Sequence, residues 1–348
     1  MNRYIYLIAI LILASCGGNK TEIKNEKNYL LEPILSGAPF KIDNVSSIKS
    51  FGKLGDYMLI ARDTINPQFQ LVDINKQTVV KSFGFDKQQL KNPFYFNNFW
   101  SNPKSDISFE VIDFGTNQIK TFSLSNVLGN DTLKIENKDI PFDFIKKYYQ
   151  LLTLDSSALL GSYGGRDLKK GKFFIFEDKK TKWVPFGPHI ADPIARDDLK
   201  YIYYSFSSYN RNRSVFASAM KYFKRVEFYS KEGGLLKEIS FNNEKLNYGS
   251  GFLDHPNSSV YFNSSFAGAK YFYGLCIDSE QSNYVKNKGN MKLYVFDWEG
   301  DLKKIIKLDR MYLGNFIVDE STNKLIAQSF VKDDQAPFIV YSLPNNLK

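Results

Sequence analysis

The chain has 348 residues, of which 43% are hydrophobic and 24% are charged, and it contains only two cysteines. A chain of this size can bury a substantial core, and two cysteines exclude the dense disulfide framework of small secreted scaffolds. The formal net charge of +9 is compatible with anionic partners or with solubility alone, so it identifies no ligand class by itself.

The first residues predict an export signal and not an element of the fold. One cation, Arg3, precedes an apolar run from Tyr4 to Ala14 that is too short to span a bilayer as a helix. The run ends in Leu13-Ala14-Ser15-Cys16, which resembles the lipobox of bacterial lipoproteins and implies cleavage before Cys16 and lipidation of its thiol. We therefore expect a signal peptide over residues 1–15. The alternatives are an uncleaved signal anchor and an ordinary signal peptide in which Cys16 occurs by chance.

A polar segment after Cys16 predicts a flexible tether over residues 16–28, followed by a folded domain over residues 29–348. Acyl chains on Cys16 would hold the protein at a membrane without a spanning helix, since each buried methylene contributes about 0.8 kcal/mol. Gly17 stands where lipoproteins retained in the inner membrane carry Asp, so the resemblance implies the outer membrane. Lipidation would also leave Cys276 without a disulfide partner.

The rest of the chain has the composition and spacing of an almost entirely β protein. Its 30 Phe and 22 Tyr fall with β-branched residues in short runs separated by Asn, Asp, Gly and Lys clusters. Only Asp143–Leu152 has spacing compatible with a helix. Elsewhere a unit recurs in which an apolar strand, often ending in an acid, leads through a polar turn to a second strand. The first strands of its six copies end at or next to Asp73, Asp113, Glu177, Tyr229, Asp297 and Ser342.

These points are separated by 40, 64, 52, 68 and 45 residues, and the short separations match one four-stranded propeller blade. Sheets arranged radially cover one another's apolar faces, so we predict an all-β, six-bladed β-propeller, with seven blades as the alternative. The sixth copy lacks its outer strand. We expect the stretches Tyr29–Leu35 and Phe40–Val45 to supply that strand and close the ring. Insertions are expected around 143–152, 242–257 and 279–290.

Both ends of the repeat region are similar to a known family. Gly55–Arg62, Leu71–Asp73 and Val80–Gly84 resemble the opening blade of the TolB-like six-bladed propeller lipoproteins. Phe316–Ala327, together with Phe338–Tyr341, resembles their last blade. The resemblance implies the propeller and the anchor, and it says little about chemistry because many members have no assigned activity.

The sequence contains no clear catalytic, cofactor-binding or metal-binding constellation. His189 and His255 each lie beside Pro in a turn context, and Gly161–Arg166 lacks the Lys and Ser or Thr of a phosphate loop. The pair Asp197-Asp198 has no ladder of alternating ligands around it. We interpret each as a strand or turn feature, with metal, phosphate or acid–base roles as the alternatives.

An aromatic and basic segment from Tyr201 to Arg213 is the candidate ligand-binding site. Its rings are suited to stacking on sugars, and its guanidinium groups are suited to binding anions. An exposed loop leading into a strand over Val215–Ala219 is the competing interpretation. The four candidate residues are Tyr204, Tyr209, Arg211 and Arg213.

Two functional hypotheses follow. The first is a non-catalytic binding or scaffolding module, lipid-anchored in the outer membrane, with a cell-envelope protein or an anionic glycan as partner and no cofactor. The second is a carbohydrate-active enzyme, a glycoside hydrolase or lyase, which needs two carboxylates from different blades about 5–9 Å apart in the central pocket. Nucleic-acid binding is not expected, because the compartment is wrong and no helix with a basic face is visible.

Overall fold

The computed structural model describes residues 21–45, 47–62, 67–84, 93–100, 107–113, 116–129, 135–140, 148–155, 157–163, 171–185, 187, 199–241, 258–286, 291–329 and 336–345. Over these ranges the chain is nearly all β, and its strands form six small sheets. No helix in them has the length and apolar character needed to cross a membrane. The helices are a 3₁₀ turn at Glu26–Asn28, α1 (Leu124–Leu128), α2 (Leu199–Ile202) and α3 (Gln281–Val285).

Three strands precede the first blade, and blades 1 to 3 each consist of four consecutive antiparallel strands. The early strands are β1 (Glu22–Ile23), β2 (Leu30–Leu35) and β3 (Ala38–Phe40). Blade 1 contains β4 (Ile48–Leu54), β5 (Tyr57–Arg62), β6 (Phe69–Asp73) and β7 (Thr78–Phe83). Blade 2 contains β8 (Pro93–Trp100), β9 (Ser108–Asp113), β10 (Gln118–Ser123) and β11 (Glu136–Asp139). Blade 3 contains β12 (Tyr148–Thr153), β13 (Leu159–Tyr163), β14 (Phe173–Glu177) and β15 (Lys180–Val184).

Blades 4 and 5 each gain a fifth strand, and blade 6 is completed from the start of the chain. Blade 4 contains β16 (Ser205–Asn210), β17 (Val215–Met220), β18 (Arg225–Ser230) and β19 (Leu235–Ser240), with β1 added. Blade 5 contains β20 (Ser259–Ala267), β21 (Tyr271–Glu280), β22 (Lys292–Asp297) and β23 (Leu302–Leu308), with β2 added. Blade 6 contains β24 (Tyr312–Asp319), β25 (Lys324–Ser329), β26 (Phe338–Ser342) and β3.

The six sheets form a closed ring around a central channel. The first strand of each blade contacts the first strand of the next, and β24 of blade 6 returns to contact β4 of blade 1. These first strands are therefore the innermost ones. The predicted six-bladed propeller is confirmed.

One buried apolar cluster, built from described residues, lies between each pair of neighbouring blades. The Phe69 ring of blade 1 lies 6.4 Å from the Phe109 ring of blade 2, and Phe51 lies 4.9 Å from Phe338 of blade 6. Such aromatic pairs contribute about 0.5–1.5 kcal/mol beyond the burial of their area. A single sheet has two apolar faces, and the ring covers both of them.

The predicted closure of the ring is confirmed, with a change in the strand that performs it. Of the predicted stretch Phe40–Val45 only Phe40 takes part. The closing strand is Ala38–Phe40, which pairs antiparallel with β26, and Phe40 lies opposite Phe338. The other predicted stretch, Tyr29–Leu35, does not enter blade 6, because β2 runs parallel to β23 at the edge of blade 5. The first three strands of the chain thus extend blades 4 and 5 and complete blade 6.

The recurring unit holds, but its second copy was placed one strand too early. In blades 1, 3, 4 and 5 the predicted hairpin is the third and fourth strand, whereas in blade 2 it is β9 and β10, the second and third strands. Taking Ser123, the end of β10, as the equivalent point replaces the separations of 40 and 64 residues by 50 and 54. Four of the five separations then lie between 45 and 54 residues, and the separation of 68 residues between blades 4 and 5 remains.

The predicted helix at Asp143–Leu152 is wrong where the structure describes it. Tyr148–Thr153 is β12, the innermost strand of blade 3, and residues 143–147 lie outside the described ranges. An innermost strand is covered on both faces, so its apolar residues do not alternate and can imitate helical spacing. The expected insertion at 242–257 is also outside the description, and 279–290 includes the end of β21 and α3.

Acidic residues that end strands hold the turns that follow them. Asp73 accepts hydrogen bonds from the backbone N–H groups of Asn75 at 3.0 Å and Lys76 at 2.9 Å. Asp297 accepts one from the N–H of Asp301 at 2.7 Å. A carboxylate just before a reversal satisfies backbone donors that the turn would leave unpaired. The acid in the recurring unit is therefore a structural residue.

Candidate functional site

A cavity of about 470 Å³ occupies the central channel, and we call it the channel cavity. The innermost strands of blades 1, 3, 4, 5 and 6 all contribute to its wall. Among the described lining residues the polar groups are mostly hydroxyls and amides, Lys221 is the one charged residue, and Asp and Glu are absent. The polar lining residues are Ser50, Gln150, Ser207, Ser208, Asn263, Ser264, Ser265 and Asn315, besides Tyr209 and Lys221.

Two side-chain contacts join neighbouring blades along this wall. The amide of Gln150 donates to the carbonyl of Ser207 at 2.8 Å and accepts from its N–H at 3.0 Å, which connects β12 to β16. The hydroxyls of Ser208 and Ser265 lie 2.8 Å apart and connect β16 to β20. These contacts fix the polar groups before any ligand binds, which reduces the entropy cost of binding.

Asn263 is the notable polar residue of the channel wall. It is buried, and within the described part of the chain neither its amide nitrogen nor its amide oxygen has a hydrogen-bond partner. Leaving such a group unsatisfied costs about 1–3 kcal/mol, so a bound molecule or water that reaches it would be stabilising. Gly314, at φ +100°, packs against it, and a Cβ there would lie 3.3 Å from the Asn263 amide nitrogen.

A second cavity of about 310 Å³ lies where the innermost strands end, and we call it the mouth cavity. Turns from blades 1, 4, 5 and 6 line it. Tyr209, Phe266 and Ala267 line both cavities, so the two cavities adjoin at these residues. The remaining lining residues are Lys53, Gly55, Asn210, Arg211, Asn212, Gly268, Ala269, Val318, Asp319, Glu320 and Ser321.

The two carboxylates that line the mouth cavity, those of Asp319 and Glu320, both form contacts within the protein. Asp319 accepts hydrogen bonds from Ser321 and Thr322, and Lys53 lies 3.4 Å from it. Burial raises the pKa of Asp319, but these hydrogen bonds and the charge of Lys53 outweigh burial and lower the pKa overall.

Glu320 crosses to blade 5, where it accepts from the N–H groups of Lys270 and Tyr271, both at 3.0 Å, and from the Tyr273 hydroxyl at 3.1 Å. A Cβ on Gly268 would lie 2.2 Å from the Glu320 carboxylate, so a larger residue there would displace this carboxylate. The Glu320 carboxylate therefore holds the β20–β21 turn in place.

The structure brings two of the four predicted site residues together. Tyr209 lines both cavities and Arg211 lines the mouth. Burial lowers the pKa of Arg211, while the negative charges of Glu110 and Asp155 act in the opposite direction. Arg211 thus presents a partly desolvated cation beside the Tyr209 ring, a combination that suits an anionic or sugar-like ligand.

The other two predicted residues lie outside the described lining of both cavities. Arg213 forms an exposed ion pair with Glu299 at 2.9 Å. Tyr204 is half-buried, and its ring packs edge-on against Phe206 at 5.1 Å. The competing interpretation of this segment as an exposed loop is wrong for Ser205–Asn210, which is the innermost strand of blade 4.

Sequence reasoning missed Lys53, Asn263 and Phe266, which come from blades 1 and 5. A spacing signal existed, since Gln150 and Ser207, like Ser208 and Ser265, are 57 residues apart and occupy neighbouring innermost strands. A search for polar residues repeated at that interval would have found part of the channel wall.

Neither cavity brings together, among its described lining residues, the two carboxylates from different blades that the enzyme hypothesis requires. The channel lining has no Asp or Glu there, and the two mouth carboxylates are adjacent in the chain instead of coming from different blades. The described ranges also hold no group of three or more potential metal-ligating side chains. His189, His255, Asp197 and Asp198 lie outside the described residues. Gly161–Arg166 begins as the end of β13, as interpreted, and its residues 164–166 are outside them too.

Comparisons with known proteins support the fold and do not identify a family. No family model and no curated protein matches the sequence. A solved structure of a DUF4221 family member from Bacteroides vulgatus is similar over 90% of this chain and 97% of its own, with a TM-score of 0.58 and 11% identity. A Bacteroides fragilis protein, named as a candidate exported protein, aligns over 92% of this chain and 98% of its own, with a TM-score of 0.49 and 10% identity. At this identity the likeness to the first structure shows the fold alone, and membership of the TolB-like family stays a prediction.

Proposed function

We propose that the protein is an exported lipoprotein of the outer membrane, anchored through Cys16, whose propeller is a non-catalytic binding module. Its ligand site is the mouth cavity together with the channel cavity. The observation that carries the proposal is that the two cavities share Tyr209 and Phe266 as lining residues. A ligand that enters the mouth meets two aromatic rings before it reaches the hydroxyl and amide groups of the channel.

The chemistry of the wall favours a glycan of the cell envelope as the ligand. Hydroxyl and amide side chains donate to and accept from sugar hydroxyls, and aromatic rings stack on the apolar faces of sugar rings. The channel volume lies within the roughly 300–1,000 Å³ typical of small-molecule sites. Arg211 supplies a positive charge at the mouth, and a ligand with an acidic substituent would be attracted to it. An anionic glycan that inserts its neutral end is therefore the proposed ligand.

Binding to an array of neutral and acidic oligosaccharides tests this site. Replacing Tyr209 or Arg211 with Ala removes a ring or a cation from the cavity wall, so each variant should lose at least about tenfold in affinity, roughly 1.4 kcal/mol. Arg213→Ala is the matched control, because it removes an exposed cation two residues away and should stay within about twofold. Equal losses in Arg211→Ala and Arg213→Ala would contradict the proposed site.

The anchor is tested separately by labelling cells with radioactive palmitate. Cys16→Ser should abolish labelling and release the protein from the membrane fraction. Cys276→Ser is the control, because Cys276 is buried and not in a disulfide, and that variant should retain the label and the outer-membrane density. A Cys16→Ser protein that is still labelled would refute lipidation at this residue.

A further inference from the structure

The segment predicted as a tether is largely part of the propeller. β1 pairs in parallel with the end of β19, placing Ile23 opposite Ser240. The following turn is held by Glu26, which accepts from Lys224 at 2.7 Å, Lys292 at 3.3 Å and the Tyr294 hydroxyl. Residues 22–28 therefore bridge blades 4 and 5, and only residues 17–20 separate Cys16 from the described chain.

The covalent geometry of so short a link limits how far the propeller can lie from a lipid attached at Cys16. Five residue steps join Cys16 to Thr21, and a fully extended chain spans at most about 3.6 Å per step. Thr21, the residue before β1, thus stays within roughly 18 Å of the anchored Cys16, whatever conformation the intervening residues adopt.

The chain leaves the propeller from the side of blade 4 and not from either face of the ring. The Thr21 hydroxyl donates to Glu238, which is the fourth of the six residues of β19. Thr21 therefore lies near mid-height on the outer edge of the blade. A link that starts there keeps that edge close to the membrane surface, and the two faces of the ring, with the ends of the channel, lie on either side of it.

From these observations, and resting on the proposed anchor at Cys16, we infer that the outer edge of blade 4 is the membrane-facing surface of the protein. The channel axis then runs along the membrane plane, and the mouth cavity stays open to solution. Ile23 and Leu236, which are 56% and 52% exposed on β1 and β19, are the apolar side chains of this edge. They would meet the headgroup region of the bilayer.

The opposite edge provides a matched reference. Blade 1 is three blades away from blade 4 in the ring of six, and its outermost strand β7 carries Val80, which is 42% exposed. Seven strand spacings, each about 4.8 Å, separate β1 from β7 across the two blades, which gives roughly 34 Å before the channel width is added. In the proposed orientation Val80 lies beyond the reach of the membrane surface.

The experiment uses the full-length lipidated protein bound to vesicles that contain headgroup-nitroxide lipids. A fluorophore is attached to a single introduced cysteine in Ile23→Cys, Leu236→Cys, Val80→Cys or Arg213→Cys, since the native Cys276 is buried and Cys16 is acylated. Quenching at Ile23 and Leu236 should exceed quenching at Val80 at least about threefold. Arg213, which is exposed near the mouth, should be quenched less than Ile23.

The experiment distinguishes failure of the proposed anchor from failure of the proposed orientation. Vesicle flotation is measured first, and a protein that does not float refutes the anchor and the orientation together. A protein that floats while Val80 and Ile23 are quenched equally refutes the orientation alone, because it lies on a face of the ring. Insertion of about 20 Gly and Ser residues after Gly18 should reduce quenching at Ile23, and unchanged quenching would show that the short link does not impose the orientation.

Discussion

The strongest prediction concerns a buried ion pair between blades 3 and 4. Lys172, just before β14, contacts Glu227 of β18, and the two side chains are 1% and 2% exposed. The Tyr229 hydroxyl donates a second hydrogen bond to Glu227 at 2.8 Å. Burial lowers the pKa of Lys172, which reflects the cost of keeping this ammonium away from water. Each of the two buried charges is therefore stabilised by the other.

Lys172→Met removes the cation and leaves Glu227 buried, with the Tyr229 hydroxyl as its remaining hydrogen-bond partner among the described residues. Breaking a buried pair costs about 3–5 kcal/mol, and the remaining hydrogen bond places this case near 3 kcal/mol. In the double variant with Glu227→Gln, the amide oxygen can still accept from Tyr229 and no charge is buried. Most of the loss should therefore be recovered, to within about 1–2 kcal/mol of the original protein.

Urea denaturation followed by tryptophan fluorescence measures these differences, with the single and double variants forming a thermodynamic cycle. A coupling of at least about 1.5 kcal/mol between the two positions is expected. The reasoning would be refuted by a Lys172→Met protein within 1 kcal/mol of the original, or by additive losses in the double variant.

Three further predictions concern packing, pH and ring closure. Gly161→Ala would place a Cβ 1.9 Å from the Phe174 ring and should lower the unfolding free energy by about 1–3 kcal/mol. Gly187→Ala is the control and should be neutral, because no described atom lies within 4 Å of a Cβ at that position. Burial raises the pKa of Asp278, but hydrogen bonds from Lys224 and Lys292 outweigh burial and lower the pKa below its usual 3.8. The carboxylate's contribution to the unfolding free energy is therefore present above pH 3.8 and is lost as the pH falls through the lower folded-state pKa. Asp278→Asn should flatten the acid limb of a stability–pH curve, and an unchanged limb would contradict this. Phe40→Ala, which removes a buried ring from the closing strand, should lower the unfolding free energy by about 3–5 kcal/mol, and a loss below 1 kcal/mol would contradict its role.

The fold was accessible from sequence because each blade repeats a local signal. The apolar strand ending in Asp73 or Asp297, followed by a turn, is encoded within a dozen residues. The helix predicted at Asp143–Leu152 failed for the complementary reason. Its residues from Tyr148 onwards form an innermost strand covered on both faces, and the alternation that identifies strands is lost there.

The binding site was accessible only in part, because it exists only once the ring has formed. Tyr209 and Arg211 attracted notice as neighbours in an aromatic and basic segment. Asn263 and Lys53 have no such local signal, and they reach the same cavities through the geometry of the ring. The position of β1 was equally hidden, since two residues, Glu22 and Ile23, carry no recognisable strand pattern.

The pairing of Ala38–Phe40 with β26 also determines when the ring can close during synthesis of the chain. The closing strand is synthesised before blade 1, and its partner Phe338–Ser342 is synthesised about three hundred residues later. Until then, the apolar surface of blade 1 at Phe51, which Phe338 covers in the finished protein, lacks this partner. A chain whose synthesis stops before Phe338 therefore cannot close the ring and exposes the apolar surface of blade 1. Chaperones and proteases can distinguish such a chain from the finished protein by this exposed surface.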